Sequence, residues 1–183
     1  LFLSIDYGTS NATSAGLYGA WSRPLPSGLR AVRLDGYYYD GRATGRQKTD
    51  AEYADDLEAK FGALKSQLLV ILDPSAASFR AELRRRGWRV RDAVNDVIDG
   101  IRTQARMLRA GEYKLVNVPG NRQAISDYGA YLWDPKAQAR GEDKPLKQND
   151  HTKDDERYFL HTVFGFGAGT ASDAARAAVR ARA

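Results

Sequence analysis

The sequence predicts an α/β protein with a mixed central sheet, three antiparallel strands followed by parallel strands, flanked by helices. Two observations carry this. Three strand-like runs, residues 1 to 7, about 12 to 20 and about 30 to 39, precede any helical pattern, and the first two are joined by the hairpin-length turn Gly8-Thr9-Ser10-Asn11, as antiparallel neighbours are. After them helical patterns alternate with short apolar runs, the order that places strands in parallel through helical crossovers. A third observation concerns the acids. Asp6 closes Leu3-Ser4-Ile5-Asp6-Tyr7-Gly8 and Asp73 closes Leu69-Val70-Ile71-Leu72-Asp73-Pro74, so both carboxylates are expected at one edge of the sheet.

In the third run, alternation in Tyr37-Tyr38-Tyr39 places Tyr37 and Tyr39 on one face and Tyr38 on the other. Gly41 to Lys48 is glycine-rich and basic and reads as an exposed loop. Thr49 with Glu52 three residues on has capping-box spacing and opens a helix through about Phe61. The unbroken apolar run Leu68 to Leu72 reads as a buried central strand. Pro74 then suits the first turn of a helix to about Arg86, and a short strand near Trp88 to Arg91 completes a βαβ unit. A helix over Asn95 to Leu108, a strand over Tyr113 to Val116 and a helix over Arg122 to Tyr131 follow. Asp134 to Gln148, charged and holding Gly141 and Pro145, reads as a loop or mobile hairpin. The last clear helix spans about Asp150 to Val163. Residues 1–164 are thus expected to form one domain, and the Ala/Arg-rich residues 165–183, with almost no large apolar side chain to bury, a tail or linker. This element order is that of the ribonuclease H fold.

With 183 residues the chain is the size of one domain. Leu1 opens directly into a strand-like run with no leader pattern before it, as if cut from something longer. No apolar run approaches the roughly 20 residues that cross a bilayer, so no membrane partner is expected. The absence of cysteine excludes disulfides, thiolate metal sites and cysteine nucleophiles, and two histidines exclude a zinc site of several imidazoles. Any metal must sit mostly on carboxylates. With 28 Lys+Arg against 23 Asp+Glu the net charge is +5, which favours a polyanionic partner. Clustered acids in a basic chain suit a nucleic-acid hydrolase.

The third acid is Asp154. Asp150 and Asp154 are four apart and His151 and Asp154 three apart, so all three project from adjacent turns of one helix face, while Asp155 and Glu156 fall on other faces and read as solvated charges. Asp6, Asp73 and Asp154 together suit hard divalent cations, and two such ions held roughly 4 Å apart stabilise both the attacking and the leaving oxygen of a phosphodiester. Each acid also has a structural reading. Asp6 could bond to turn backbone, Asp73 could cap a helix with Pro74 at its first position, and Asp150 could cap the last helix. His151 reads as a metal ligand, a phosphate contact or a structural histidine at a helix start.

Ile5-Asp6-Tyr7-Gly8-Thr9, Tyr37-Tyr38-Tyr39-Asp40-Gly41 with Thr44 to Asp50, Asp73-Pro74-Ser75-Ala76, Asn95-Asp96-Val97-Ile98-Asp99-Gly100-Ile101, and Gly141 to Pro145 leading to Asp150-His151 and Asp154 together resemble the C-terminal nuclease domain of tailed-phage terminase large subunits. The resemblance runs in order from about residue 1 to 164. It implies a ribonuclease H-like endonuclease using Mg²⁺ or Mn²⁺, with Asp6, Asp73 and Asp154 as catalytic metal ligands and His151 as a further one in some members. It also implies cutting of concatemeric double-stranded viral DNA during packaging, at the procapsid in the host bacterial cytoplasm. The expected partners are an ATPase motor domain in the full-length chain, the portal and the small terminase subunit. The chain departs from the family at Thr152-Lys153-Asp154-Asp155-Glu156, where small and apolar residues are usual; the spacing favours Asp154 over Asp155 as the cleft acid. Arg42, Arg46 and Lys48 are candidate DNA-backbone contacts, with Lys144 and Lys147 as candidates to reach the scissile phosphate.

No Gly-x4-Gly-Lys-Ser/Thr motif occurs, so this chain alone is not expected to hydrolyse ATP. Three rival readings remain. An actin- or hexokinase-like ATP-binding lobe has a phosphate loop like Ile5 to Asn11 but needs a second lobe. A Holliday-junction resolvase shares fold and acids. A non-catalytic DNA-binding or docking domain would keep the acids for structure. Tyr37, Trp88 and Trp133 read as core rather than base-stacking platforms.

Overall fold

The computed structural model describes residues 1–8, 11–129, 140–141 and 150–165. Among these residues six strands form one sheet: β1 Phe2–Asp6, β2 Thr13–Ala20, β3 Ala31–Tyr39, β4 Leu69–Leu72, β5 Val90–Asp92 and β6 Tyr113–Leu115, in the order β5-β4-β1-β2-β3-β6. β1, β2 and β3 pair antiparallel; β4 lies parallel to β1, β5 parallel to β4 and β6 parallel to β3. The predicted mixed sheet is therefore present, with one parallel strand closing the far edge beside β3.

Six described α-helices accompany the strands: α1 Gly41–Thr44, α2 Asp50–Phe61, α3 Ala77–Arg85, α4 Val97–Arg109, α5 Arg122–Asp127 and α6 His151–Phe164. Thr49 and Glu52 make both halves of the predicted capping box. Gly41 to Lys48, expected to be loop, contains the single turn α1, because Asp40 accepts from the Arg42 and Ala43 amides and Gly45 ends the turn at φ 66°. α3 starts later than expected. Asp73 does not cap it; its carboxylate accepts from the Ser75 amide, and Ala76 precedes the helix.

The pleat sorts side chains into two cores. Leu3, Ile5, Val70 and Leu72 pack with Tyr53, Leu57, Phe79 and Trp88 beneath α2 and α3. Phe2, Tyr18, Ile71 and Met107 pack with Phe159, Leu160 and Val163 beneath α4 and α6. Because alternate residues share a face, Asp6 continues the face of Phe2, and Asp73 that of Ile71. A bulge sets Tyr18 opposite Arg33 just after Leu17 opposite Asp35, leaving Leu34 over, so Tyr37 and Tyr39 fall against the α2 side while Tyr38 faces the cleft described below. Trp88 is core, as expected; Trp133 lies outside the described residues.

α6 overturns one expectation outright. Every residue from Thr152 to Phe164 is buried, and Asp155 and Glu156, read from the sequence as solvated charges, are 0% exposed. Their cover comes from distant chain. The Arg33 guanidinium forks onto Asp155 at 2.5 and 3.2 Å, and Ser14 and Tyr18 also donate to that carboxylate. Gln104 and Tyr128 donate to Glu156 at 2.8 and 2.6 Å, and Lys153 lies 3.2 Å from it. Gly16 makes room for the network, since a Cβ there would stand 2.5 Å from the Tyr18 ring.

Candidate metal and DNA site

β1 and β4 run parallel with Ile5 opposite Leu72, so the next step along each strand brings Asp6 and Asp73 side by side at the carboxyl end of the sheet. α6 crosses that edge and presents His151 and Asp154. The result is a cleft of about 690 Å³ lined by Asp6, Asp73, Asp150, His151 and Asp154, with Tyr38, Tyr158 and Arg42 on its walls. The helix spacing singled out Asp150, His151 and Asp154, and all three line it. Asp150 makes no capping bond through its side chain.

Each acid has a protein partner. His151 Nδ1 lies 2.8 Å from Asp6 Oδ2. Burial pushes the Asp6 carboxyl up to about 6, with Asp154 adding to the rise and His151 opposing it. The same contact raises His151, against its own burial. For Asp73 burial works upward, but bonds from Tyr158, 2.6 Å away, and from Ser75 hold it below the ordinary carboxylate value. Asp154 is bound by Arg157 at 2.8 Å. Tyr158 and Arg157 were missed in the sequence, although both carry a signal: they stand four and three residues after Asp154, on its own helix face.

The three predicted basic residues of the segment after β3 separate. Arg42 lines the cleft. Arg46 pairs with Glu52, and Lys48 with Asp56 while lying over the Tyr39 ring, so both are engaged on the α2 side. Lys144 and Lys147, the rest of the Asp134 to Gln148 loop apart from residues 140–141, and the tail beyond Gly165 lie outside the described residues.

Among the described residues no group of three or more His, Asp or Glu side chains is set as a metal cage. The donor set nonetheless fits hard cations in kind: carboxylates and one imidazole on one open cleft, with Asp154 close enough to help raise Asp6. Magnesium commonly takes only one or two protein carboxylates and keeps several waters. None of the described helices is long and apolar enough to cross a membrane.

Sheet order, acids at the ends of β1 and β4 and a helix crossing that edge define the ribonuclease H-like class. Among solved structures, the g2p (large terminase) nuclease domain from bacteriophage SPP1, with bound Mn, shares this fold at TM-score 0.61 and 14% identity over 87% of this chain and 83% of that one. The large terminase of the thermophilic bacteriophage D6E is much nearer in sequence. Its ATP-γ-S complex is 43% identical over 90% of this chain, with TM-score 0.80, and its ADP complex 44% identical over the same share, with TM-score 0.78. The chain belongs with the phage large terminases, and its fold is that of the SPP1 nuclease domain. It spans about 40% of the D6E protein's length. No family model and no curated protein matches the chain.

Proposed function

We propose that this chain is a metal-dependent endonuclease that hydrolyses phosphodiesters of double-stranded viral DNA concatemers with weak sequence preference. The observation that supports it most is the meeting of Asp6, Asp73, Asp154 and His151, from three separate elements, on one cleft. These four would hold two divalent cations, Mg²⁺ or Mn²⁺, which supply Lewis acidity and neutralise charge as water displaces the 3′ oxygen and leaves a 5′-phosphate. The chain's own residues arrange the rest. His151 Nδ1 is hydrogen-bonded to Asp6 and holds that carboxyl in place, and Tyr158 donates to Asp73 and fixes its carboxylate. Arg42 supplies positive charge on the cleft wall for a backbone phosphate, a contact that positions DNA without reading its sequence. Strong salt dependence should follow.

The D6E relative, whose structures hold ATP-γ-S or ADP, supports one part of a wider setting, a nucleotide-binding motor. The full-length protein would carry an ATPase motor and work with the portal and small terminase subunit at the procapsid, in the host bacterial cytoplasm. Lys144 and Lys147 stay candidates for reaching the scissile phosphate, and residues 165–183 a candidate tail or linker. A second reading, a non-catalytic DNA-binding domain, draws on the fact that each acid already has a protein partner.

One experiment separates them. Supercoiled plasmid is incubated with the protein and Mn²⁺, Mg²⁺ or EDTA, beside an Asp6→Ala variant matched by circular dichroism. Cleavage that needs metal and is lost in the variant is expected. No cleavage with any metal would favour the binding domain, and undiminished cleavage by the variant would remove Asp6 from the site.

A further inference from the structure

Arg157 joins the cleft to a stretch of sequence that the site does not otherwise use. Its Nε and Nη2 both donate to Oδ1 of Asp154, at 3.1 and 2.8 Å. Its Nη1 donates to the backbone carbonyls of Asn95 and Asp96, at 2.9 and 3.3 Å, immediately before α4. Its aliphatic stem lies across Gly100, where an added Cβ would stand 2.5 Å from Arg157 Cγ and 2.8 Å from Cδ. The residue is only 3% exposed. Glycine inside a helix is about 1 kcal/mol worse than alanine, and here its lack of a side chain opens the slot the arginine occupies. Asn95, Asp96 and Gly100 thus seat one arginine side chain.

We infer that Arg157, seated on Asn95, Asp96 and Gly100, is a positioning residue that holds the Asp154 carboxylate in the orientation the cleft requires. The inference rests on the nuclease reading above. A planar guanidinium serves here because its separate N–H groups reach the carboxylate and the Asn95 and Asp96 carbonyls at once, in fixed relative directions; an ammonium is a point donor on a flexible stem. A cation beside a metal site also repels the metal. That repulsion is blunted because the guanidinium is met by one carboxylate and two carbonyl oxygens, so loss of orientation is the larger effect of removing it.

The test is titration of Mn²⁺ alone into the 183-residue chain by calorimetry, with free ion followed by electron paramagnetic resonance. Arg157→Gln is expected to weaken Mn²⁺ binding about tenfold, the lower end of what losing such an outer partner does. Arg157→Lys, which keeps the charge but not the fork, should bind as weakly. Gly100→Ala leaves the guanidinium in the chain and unseats it, so it should weaken binding too and serves if Arg157→Gln does not fold. All three losses should vanish in an Asp154→Asn background, which a merely structural role would not produce. Unchanged or tighter Mn²⁺ binding by folded Arg157→Gln and Gly100→Ala, or losses that persist beside Asp154→Asn, overturn the inference alone. Should the wild type bind no Mn²⁺, or Asp154→Asn leave binding unchanged, the metal-site reading falls and this inference with it.

Discussion

Asp154 and Asp155 are consecutive residues of α6 with opposite environments. Asp154 opens on the cleft beside Asp6. Asp155 is fully buried on the other side, gripped by Arg33, Ser14 and Tyr18. One step along a helix turns a side chain by about 100°, so neighbours in sequence can serve unrelated purposes. The two regions differ in how charge is balanced. Below the cleft, Asp155 and Glu156 are matched by Arg33 and Lys153, and none of the buried side-chain atoms lacking a partner among the described residues belongs to these four. In the cleft, carboxylates crowd together and burial drives Asp6 up to about 6. The balanced cluster holds α6 on the sheet, and the imbalance above it is what a cation would relieve.

The strongest way to break this contrast is Arg33→Met. It strands Asp155 in a dry interior, and removing one partner of a buried ion pair costs about 3–5 kcal/mol. Denaturant unfolding should show a loss of that size, with Asp155→Asn in the same chain recovering part of it. A cost below about 1 kcal/mol would mean the cluster does not anchor α6.

Asp6→Asn should do the reverse. A carboxyl whose folded value of about 6 lies above its ordinary 3.8 binds more protons folded than unfolded. Its favourable contribution is therefore complete below about pH 4 and lost as pH rises through about 6. His151, also raised, contributes stability below its ordinary value that is lost above its folded one, which adds to the decline. Asp73, lowered, runs oppositely and loses its contribution only as pH falls below the ordinary carboxylate range. Without divalent metal, Asp6→Asn should be more stable than wild type at pH 8, by up to about 3 kcal/mol, with the gap closing toward pH 4. Thermal unfolding of both proteins across that range checks it, and a gap that does not change with pH would exclude Asp6 as the titrating group.

The smallest effect belongs to neither region. Thr49→Ala removes the capping box of α2 and should cost about 1 kcal/mol in thermal unfolding. Mn²⁺ binding and cleavage should stay as they were, which shows that lost stability alone does not mimic a cleft defect.

Much of the site was legible because strand parity and helix spacing are local rules. Asp6 and Asp73 close apolar runs, and the parallel pairing of β1 with β4 then sets them side by side. His151 and Asp154, three apart, had to share a helix face. The fate of Asp155 and Glu156 was not legible, because a charged stretch on a helix is compatible with water or with burial. The choice depended on Arg33, 122 residues away along the chain from Asp155, and on a bulge at Leu34 that no local signal announced. Nor does local sequence say why a glycine sits inside α4 at position 100, where Arg157, 57 residues further on, lies across it.

The sequence by itself determined the order of strands and helices, the capping of α2, and which acids end strands or share a face with His151, since these follow from periodicity within a few residues. Only the tertiary structure decided that β6 closes the sheet beside β3, that Asp155 is buried on Arg33 while Asp154 faces the cleft, and that Arg42 alone of its neighbouring basic residues reaches the cleft wall. Each of these turns on contact between segments far apart in the chain, where desolvation and pairing outweigh local preference.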